Sequence, residues 1–348
     1  MTKVDFKYGF PLFCNDLSGN LLKLEKNRVS DLWALLHYVI KQYVKWKPKA
    51  IEEFLLSLHE QAKYFYKAAE SAPVKSQPLL FYYSLLNLAK IYLCIVQNTS
   101  PSDVYMHGIE TKVNAVTTIQ TAEVNIQALH GSPRISVAHR LFTSFGDQIL
   151  PIGPTTLQVK ECMASCMGIH RTYCETYNET ESFVRLLNPE ACREGTKLEF
   201  VSEVKGCDVG ILNSLLARGY NVTMEEGKCV YREQITMPHY NIRKQDWIDM
   251  ARTLSLKGLR SYTDGNEYRM YLPLKAKVPL SSPSVIYAVM FFLGSVTRYH
   301  PYFFDSLMDE KEQWLISEFL NTQPSQFLYY LISFMIGKPI YRSRTALI

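Results

Sequence analysis

The chain has 348 residues, of which 47% are apolar and 20% charged, a balance that builds a packed core and excludes disordered and fibrous chains. A formal net charge of +5 falls short of the dense basic stripe of a dedicated nucleic-acid binder and leaves room only for a local basic patch. The opening residues Met1-Thr2-Lys3-Val4-Asp5 carry no apolar signal region, and the apolar runs 285–296 and 327–336 are too short to span a bilayer, so a cytoplasmic chain with no membrane segment is expected.

In chain order, Ser30-Asp31 supplies an N-cap ahead of Leu32, Leu36, Val39 and Ile40, predicting a first helix. Lys41, Lys45, Lys47 and Lys49 at its end, with Tyr43 and Trp46 between them, read as a solvated helix end before a phosphate surface. Pro48 opens a second helix, with apolar residues at Ile51, Phe54, Leu55, Leu58, Ala62, Phe65 and Ala69. Pro73 and Pro78 bracket a short link, and 79–96 is a helix apolar on every side. Beyond residue 98, Val113, Val116, Ile119, Val124 and Ile126 suggest short strands. Helix is expected over 157–177, 209–216 and 244–254, and strand over 197–204 and 221–235, with turns at Glu226-Gly227 and Asp264-Gly265. Ser282-Pro283 opens another apolar helix, Asp309 a further one, and Pro324 a last one ending at Gly337-Lys338-Pro339.

Two helices that are apolar all round, near Leu88 and Met290, each need cover on every side, and packing them together provides it. The predicted fold class is therefore α+β, predominantly α. The N-terminal helical part (1–98) and the C-terminal helical part (281–348) form one bundle, with a β-rich insertion (99–156) and a mixed segment (157–280) between them.

The run Ala72-Pro73, Pro78-Leu79-Leu80-Phe81-Tyr82-Tyr83, Leu88 and Lys90 resembles the hallmark helix of YaaC-like proteins. His107-Gly108, the segment Glu123-Val124-Asn125-Ile126-Gln127, and Leu293 with Arg298-Tyr299 extend the resemblance toward both ends of the chain. Where that family often carries a basic run after the His-Gly pair, this chain has Ile109-Glu110-Thr111-Lys112. The resemblance implies a fold and carries over no activity.

Among chemical constellations, Tyr83, Asn87 and Lys90 share one face of an apolar helix. A buried Lys there needs either a structural partner, for which Glu123 is a candidate, or an anionic ligand. Arg298-Tyr299-His300 ends a helix, where Arg298 either caps carbonyls or grips a phosphate through two oxygens. His107 is followed by a glycine that lets the backbone approach closely. Cys162, Cys166, His170 and Cys174 recur every four residues, which on one helix drifts around the axis too far for a single tetrahedral ion, so no metal is expected. Arg134 and His139 fit an R-x4-H spacing used by HEPN-type ribonucleases, in a region that reads as strand. The eight cysteines form no disulfide framework.

The functional expectation is a binding protein without a cofactor, with a polar pocket formed by Tyr83, Asn87, Lys90, His107 and Arg298 for a phosphate-bearing ligand, a nucleotide or RNA. Such helical modules serve defence or stress systems, with a protein partner or a second copy. The alternative is a metal-independent ribonuclease in which Arg298 steadies the phosphate and His107 or His300 takes the proton.

Overall fold

A computed structural model describes residues 2–4, 28–103, 106–114, 117–128, 136–151, 153–239, 246, 249–250, 253–254, 257–261, 268–271, 280–309, 311–336 and 340–342. The elements in the N-terminal part are β1 (Thr2–Val4), β2 (Arg28–Val29), α1 (Leu32–Val44), α2 (Lys49–Ser71) and α3 (Gln77–Val96). Then come β3 (Ile109–Thr111), β4 (Glu123–Gln127), α4 (Val137–Ser144), β5 (Pro154–Gln158), α5 (Val159–Ala164) and α6 (His170–Tyr177). The mixed segment holds β6 (Phe183–Glu194), β7 (Lys197–Val204), α7 (Val209–Ala217), β8 (Asn221–Glu225), β9 (Lys228–Thr236), β10 (Leu259–Ser261) and β11 (Tyr268–Tyr271). The chain closes with α8 (Ser282–Tyr299), α9 (Pro301–Asp309), α10 (Glu312–Ile336) and β12 (Tyr341–Arg342). This is an α+β fold, mostly α.

Local chemistry sets the helix starts. Asp31 Oδ1 accepts from the Ala34 amide at 2.9 Å, so the first turn of α1 has its orphan donor satisfied. Pro48 precedes α2, and Pro78 and Pro283 sit in the first turns of α3 and α8, where a missing N–H costs nothing. Asp147, fully buried, accepts from the Ser281 amide at 2.6 Å and from its hydroxyl at 3.0 Å, anchoring the start of α8. Burial pushes the Asp147 carboxyl up to about 6, opposed by these hydrogen bonds and by the charge of Arg260.

The core is the expected bundle. α3 packs against α2, α8 and α10, so Leu85, Leu88, Ala89 and Ile91 have no exposed surface. α3 and α8 approach so closely that a Cβ on Gly294 would lie 2.9 Å from Tyr82 Cβ and 3.2 Å from the Pro78 carbonyl oxygen. α3 is also long and apolar enough to cross a membrane by length and composition, but 67% of its most apolar window is buried among other helices, the setting of a core helix.

The largest sheet runs β10-β11-β6-β7-β9-β8, all antiparallel. β1 pairs with Ala191–Arg193 at the far end of β6 from β11. A three-stranded antiparallel sheet, β3-β4-β5, lies beside α4 and α8, and β2 pairs in parallel with β12.

The strands β7, β8 and β9 and the helix α7 fall within a residue or two of expectation, and Glu226-Gly227 forms the β8–β9 turn with both residues at positive φ. The strands on either side of Asp264-Gly265 pair as a hairpin; that turn itself, and Gly337-Lys338-Pro339, lie outside the described residues. Four readings are corrected. The helix expected over 157–177 is a strand end plus two short helices, α5 and α6, separated at Ser165 and Ile169, where turn hydrogen bonds close the chain. The helices expected from Asp309 and from Pro324 are one, α10, with Pro324 inside it, preceded by the unforeseen α9. His139 lies on a helix, α4, capped by Ser136 Oγ. Of the residues expected in short strands beyond residue 98, Val124 and Ile126 lie in β4, whereas Val113 and Ile119 lie in no strand and Val116 is outside the described residues. β6, for which no expectation was made, carries Asn188 at positive φ and a bulge between Leu187 and Glu190.

Candidate functional site

A cavity of about 320 Å³ opens where α3, α8 and the β3 strand meet, lined by residues that include Tyr82, Tyr83, His107, Glu110, Arg298 and His300. That volume lies at the low end of the range for small-ligand pockets.

His107 is fixed from both sides. Its carbonyl accepts from the Ala138 amide at 3.0 Å in the first turn of α4, and its Nδ1 lies 2.7 Å from Tyr82 Oη. Gly108 makes this possible: its φ is +65°, and a Cβ there would overlap Ser136 Oγ at 1.5 Å. Ser136 Oγ in turn donates to the Gly108 carbonyl at 3.3 Å. Burial lowers the His107 pKa below the usual histidine value, and the positive charges of Lys90 and Arg298 lower it further. Burial holds the Tyr82 phenol well above its ordinary value, so it keeps its proton.

Arg298 stands on the last turn of α8. Its Nη1 donates to Tyr83 Oη at 2.7 Å, and its guanidinium carbon lies 4.9 Å from the Tyr299 ring centroid. Consecutive residues of α3, Tyr82 and Tyr83, thus hold the imidazole and the guanidinium. Among the described residues no carboxylate pairs with Arg298 or with Lys90. Glu123, the candidate partner of Lys90, instead accepts from Gln158 at 2.6 Å. Glu110, which also lines the cavity, accepts from Gln127 at 2.8 Å.

Of the residues singled out from sequence, Tyr83, His107, Arg298 and His300 line this cavity, and Asn87 and Lys90 do not. Asn87 donates weakly to Gln61 on α2 at 3.4 Å. Lys90 is half-buried, its pKa lowered by burial, and reaches the site only through its field on His107. The reason is axial: α3 rises about 1.5 Å per residue, so Lys90 sits about 10 Å along the helix from Tyr83 although it shares the same face. Sequence reasoning missed Tyr82 and Tyr299, which read as core or surface aromatics until their neighbours were placed.

The other described candidates make structural contacts. His170 Nδ1 lies 2.7 Å from the Ala164 carbonyl and its Nε2 accepts from the Ser182 amide at 2.9 Å, so both nitrogens are engaged. Among the described residues no group of three or more His, Cys, Asp or Glu could hold a metal. The lysines ending α1 are tied locally: Lys41 to Glu52 at 2.6 Å, Lys49 to Glu53 at 3.3 Å, and Lys47 to Asn98 at 3.2 Å. Arg134 lies outside the described residues.

The fold and cavity define a mostly helical α+β protein whose N- and C-terminal helices converge on a polar cavity that holds Arg298, His107 and Glu110. The chain belongs to the YaaC-like family: the family model for YaaC-like Protein matches residues 23–335. No curated protein and no solved structure matches it.

Proposed function

We propose that this chain is a cytoplasmic binding protein whose α3–α8 cavity takes a phosphate-bearing ligand, a nucleotide or the phosphate of an RNA. The observation that carries this reading is a guanidinium facing a cavity with no carboxylate partner, beside a neutral imidazole and within the field of a half-buried lysine. Charges left uncompensated near a low-dielectric wall favour an anion, and a guanidinium binds two phosphate oxygens at once. Tyr83 fixes the guanidinium, reducing the ordering cost of binding. A role within a defence or stress system, through a protein partner or a second copy, belongs to the same reading.

Thermal melts with nucleoside monophosphates and short RNA test it. A ligand at a hundredfold excess over its Kd stabilises the fold by about 2.7 kcal/mol, and Arg298→Ala abolishes most of that shift. An equal shift in wild type and variant retires the cavity as the site. A ribonuclease reading draws on one further observation, the Tyr82-held, neutral His107 beside Arg298, which is the protonation state a general base needs. RNA cleavage by wild type that disappears in both His107→Ala and Arg298→Ala supports that reading over binding alone.

A further inference from the structure

The last turn of α8 and the first of α9 read Arg298-Tyr299-His300-Pro301-Tyr302, and the chain turns at His300 (φ −136°, ψ 57°). Tyr299 is 62% exposed and Tyr302 is 90% exposed. Exposed rings close in sequence to an arginine offer flat faces on which a base can stack. Tyr299 lines the cavity already described; Tyr302 lines a second one, of about 340 Å³, with Asn114, Thr117, Thr118, Ser306 and Glu312. Two residues, His300 and Pro301, lie between Tyr299 and Tyr302, so the cavities are neighbours along one short stretch of backbone. Glu312 is 5% exposed; its Oε1 accepts from Tyr177 Oη at 3.2 Å, and its buried Oε2 has no hydrogen-bond partner. A buried acceptor without a donor marks a position where a ligand N–H would be favoured.

Cations alternating with exposed aromatic rings are how proteins hold successive nucleotides of a single strand: the cation takes the phosphate and each ring takes a base face. We propose that the two cavities form one track for single-stranded RNA. One phosphate lies at Arg298 and His107, the adjoining base stacks on Tyr299, and the next base stacks on Tyr302 with its edge toward Glu312. A carboxylate accepts and does not donate, so the second position favours guanine, whose edge presents two adjacent N–H donors, over uracil. This track rests on the reading of the first cavity as a phosphate site and assigns it a polymeric ligand in place of a free nucleotide.

The test uses the full chain with the RNA tetranucleotides AGGA and AUUA, read by fluorescence anisotropy, and with guanosine monophosphate, read by calorimetry. AGGA binds more tightly than AUUA and than the mononucleotide. Tyr302→Ala, at a ring that supports no core packing, weakens AGGA about tenfold and leaves the mononucleotide unchanged. Glu312→Gln removes the preference for AGGA over AUUA. Mononucleotide binding that persists while Tyr302→Ala leaves AGGA affinity unaltered overturns the track and keeps the phosphate site. Failure of wild type to bind any of the three ligands overturns both.

Discussion

His107 has its ring tied to Tyr82, its carbonyl tied to α4, and two cations close enough to oppose its protonation. Its folded pKa therefore lies below the unfolded value of about 6.5. The unfolded chain then binds more protons than the native one over that interval. His107 accordingly lowers stability as pH falls through about 6.5 toward the folded pKa, and the loss is absent above that window. NMR titration of the imidazole resonances is expected to give a midpoint below 6.5. Arg298→Ala and Lys90→Met each move it upward by part of the displacement, because burial is the larger cause. A midpoint at or above 6.5 in wild type contradicts this electrostatic picture. At the same scale, the sequence pointed to His107, Tyr83 and Arg298 because a His-Gly pair, a polar residue on an apolar face and a helix-terminal Arg are local signals. It could not place Asn87 and Lys90, because sharing a helix face says nothing about how far along the axis a pocket extends. Nor could it single out Tyr82, whose hydroxyl function depends on a residue 25 positions away.

At the scale of elements, α3 and α8 were legible because a helix apolar on all sides must be buried whatever its neighbours. β7, β8 and β9 were legible because alternation and a Glu-Gly turn are written locally. β6 was not, since Asn188-Pro189 reads as a strand breaker; it survives because a bulge absorbs those residues and Ser202 Oγ donates to the Leu187 carbonyl at 2.8 Å. α10 was read as two helices for a related reason. A proline inside a helix costs about 3 kcal/mol, but Leu315 and Phe319 on one side of it and Phe327 and Leu331 on the other are all fully buried. Fully burying one such side chain stabilises by about 1.5–3 kcal/mol, so packing outweighs the break. The α3–α8 contact gives a sharper test. Gly294→Ala gains about 1 kcal/mol of helix propensity, but its Cβ would press on Tyr82 Cβ at 2.9 Å, where nothing flexible can yield. Overpacking of that kind costs about 1–3 kcal/mol. The expected outcome is a lower melting temperature and a displaced Tyr82–His107 pair, seen as a shifted His107 titration. A variant as stable as wild type, with an unchanged titration, means the helices are less tightly apposed than the structure has them.

At the scale of the molecule, the two ends of the chain build one bundle, and the mixed segments between them form separate sheets. The family model spans both ends, and the cavity lies on the seam where they meet: Tyr82 and Tyr83 come from the N-terminal half, Arg298 and His300 from the C-terminal half, and His107 from the connection. A cavity assembled from three distant stretches exists only when the bundle has closed, so a ligand held there would stabilise the fold. The sequence led to the expectation of one pocket on this seam, and Tyr83, His107 and Arg298 do line one cavity, whereas Asn87 and Lys90 fall outside it. The central claim is that an anion occupies this seam between His107 and Arg298. Its most direct test follows the His107 imidazole resonances during titration with a nucleoside monophosphate, at pH values on both sides of 6.5. The account predicts a saturable shift at His107, a rise in its pKa as the bound phosphate offsets Lys90 and Arg298, and loss of both effects in Arg298→Ala. Resonances that stay fixed up to millimolar ligand, or that shift equally in the variant, would contradict it.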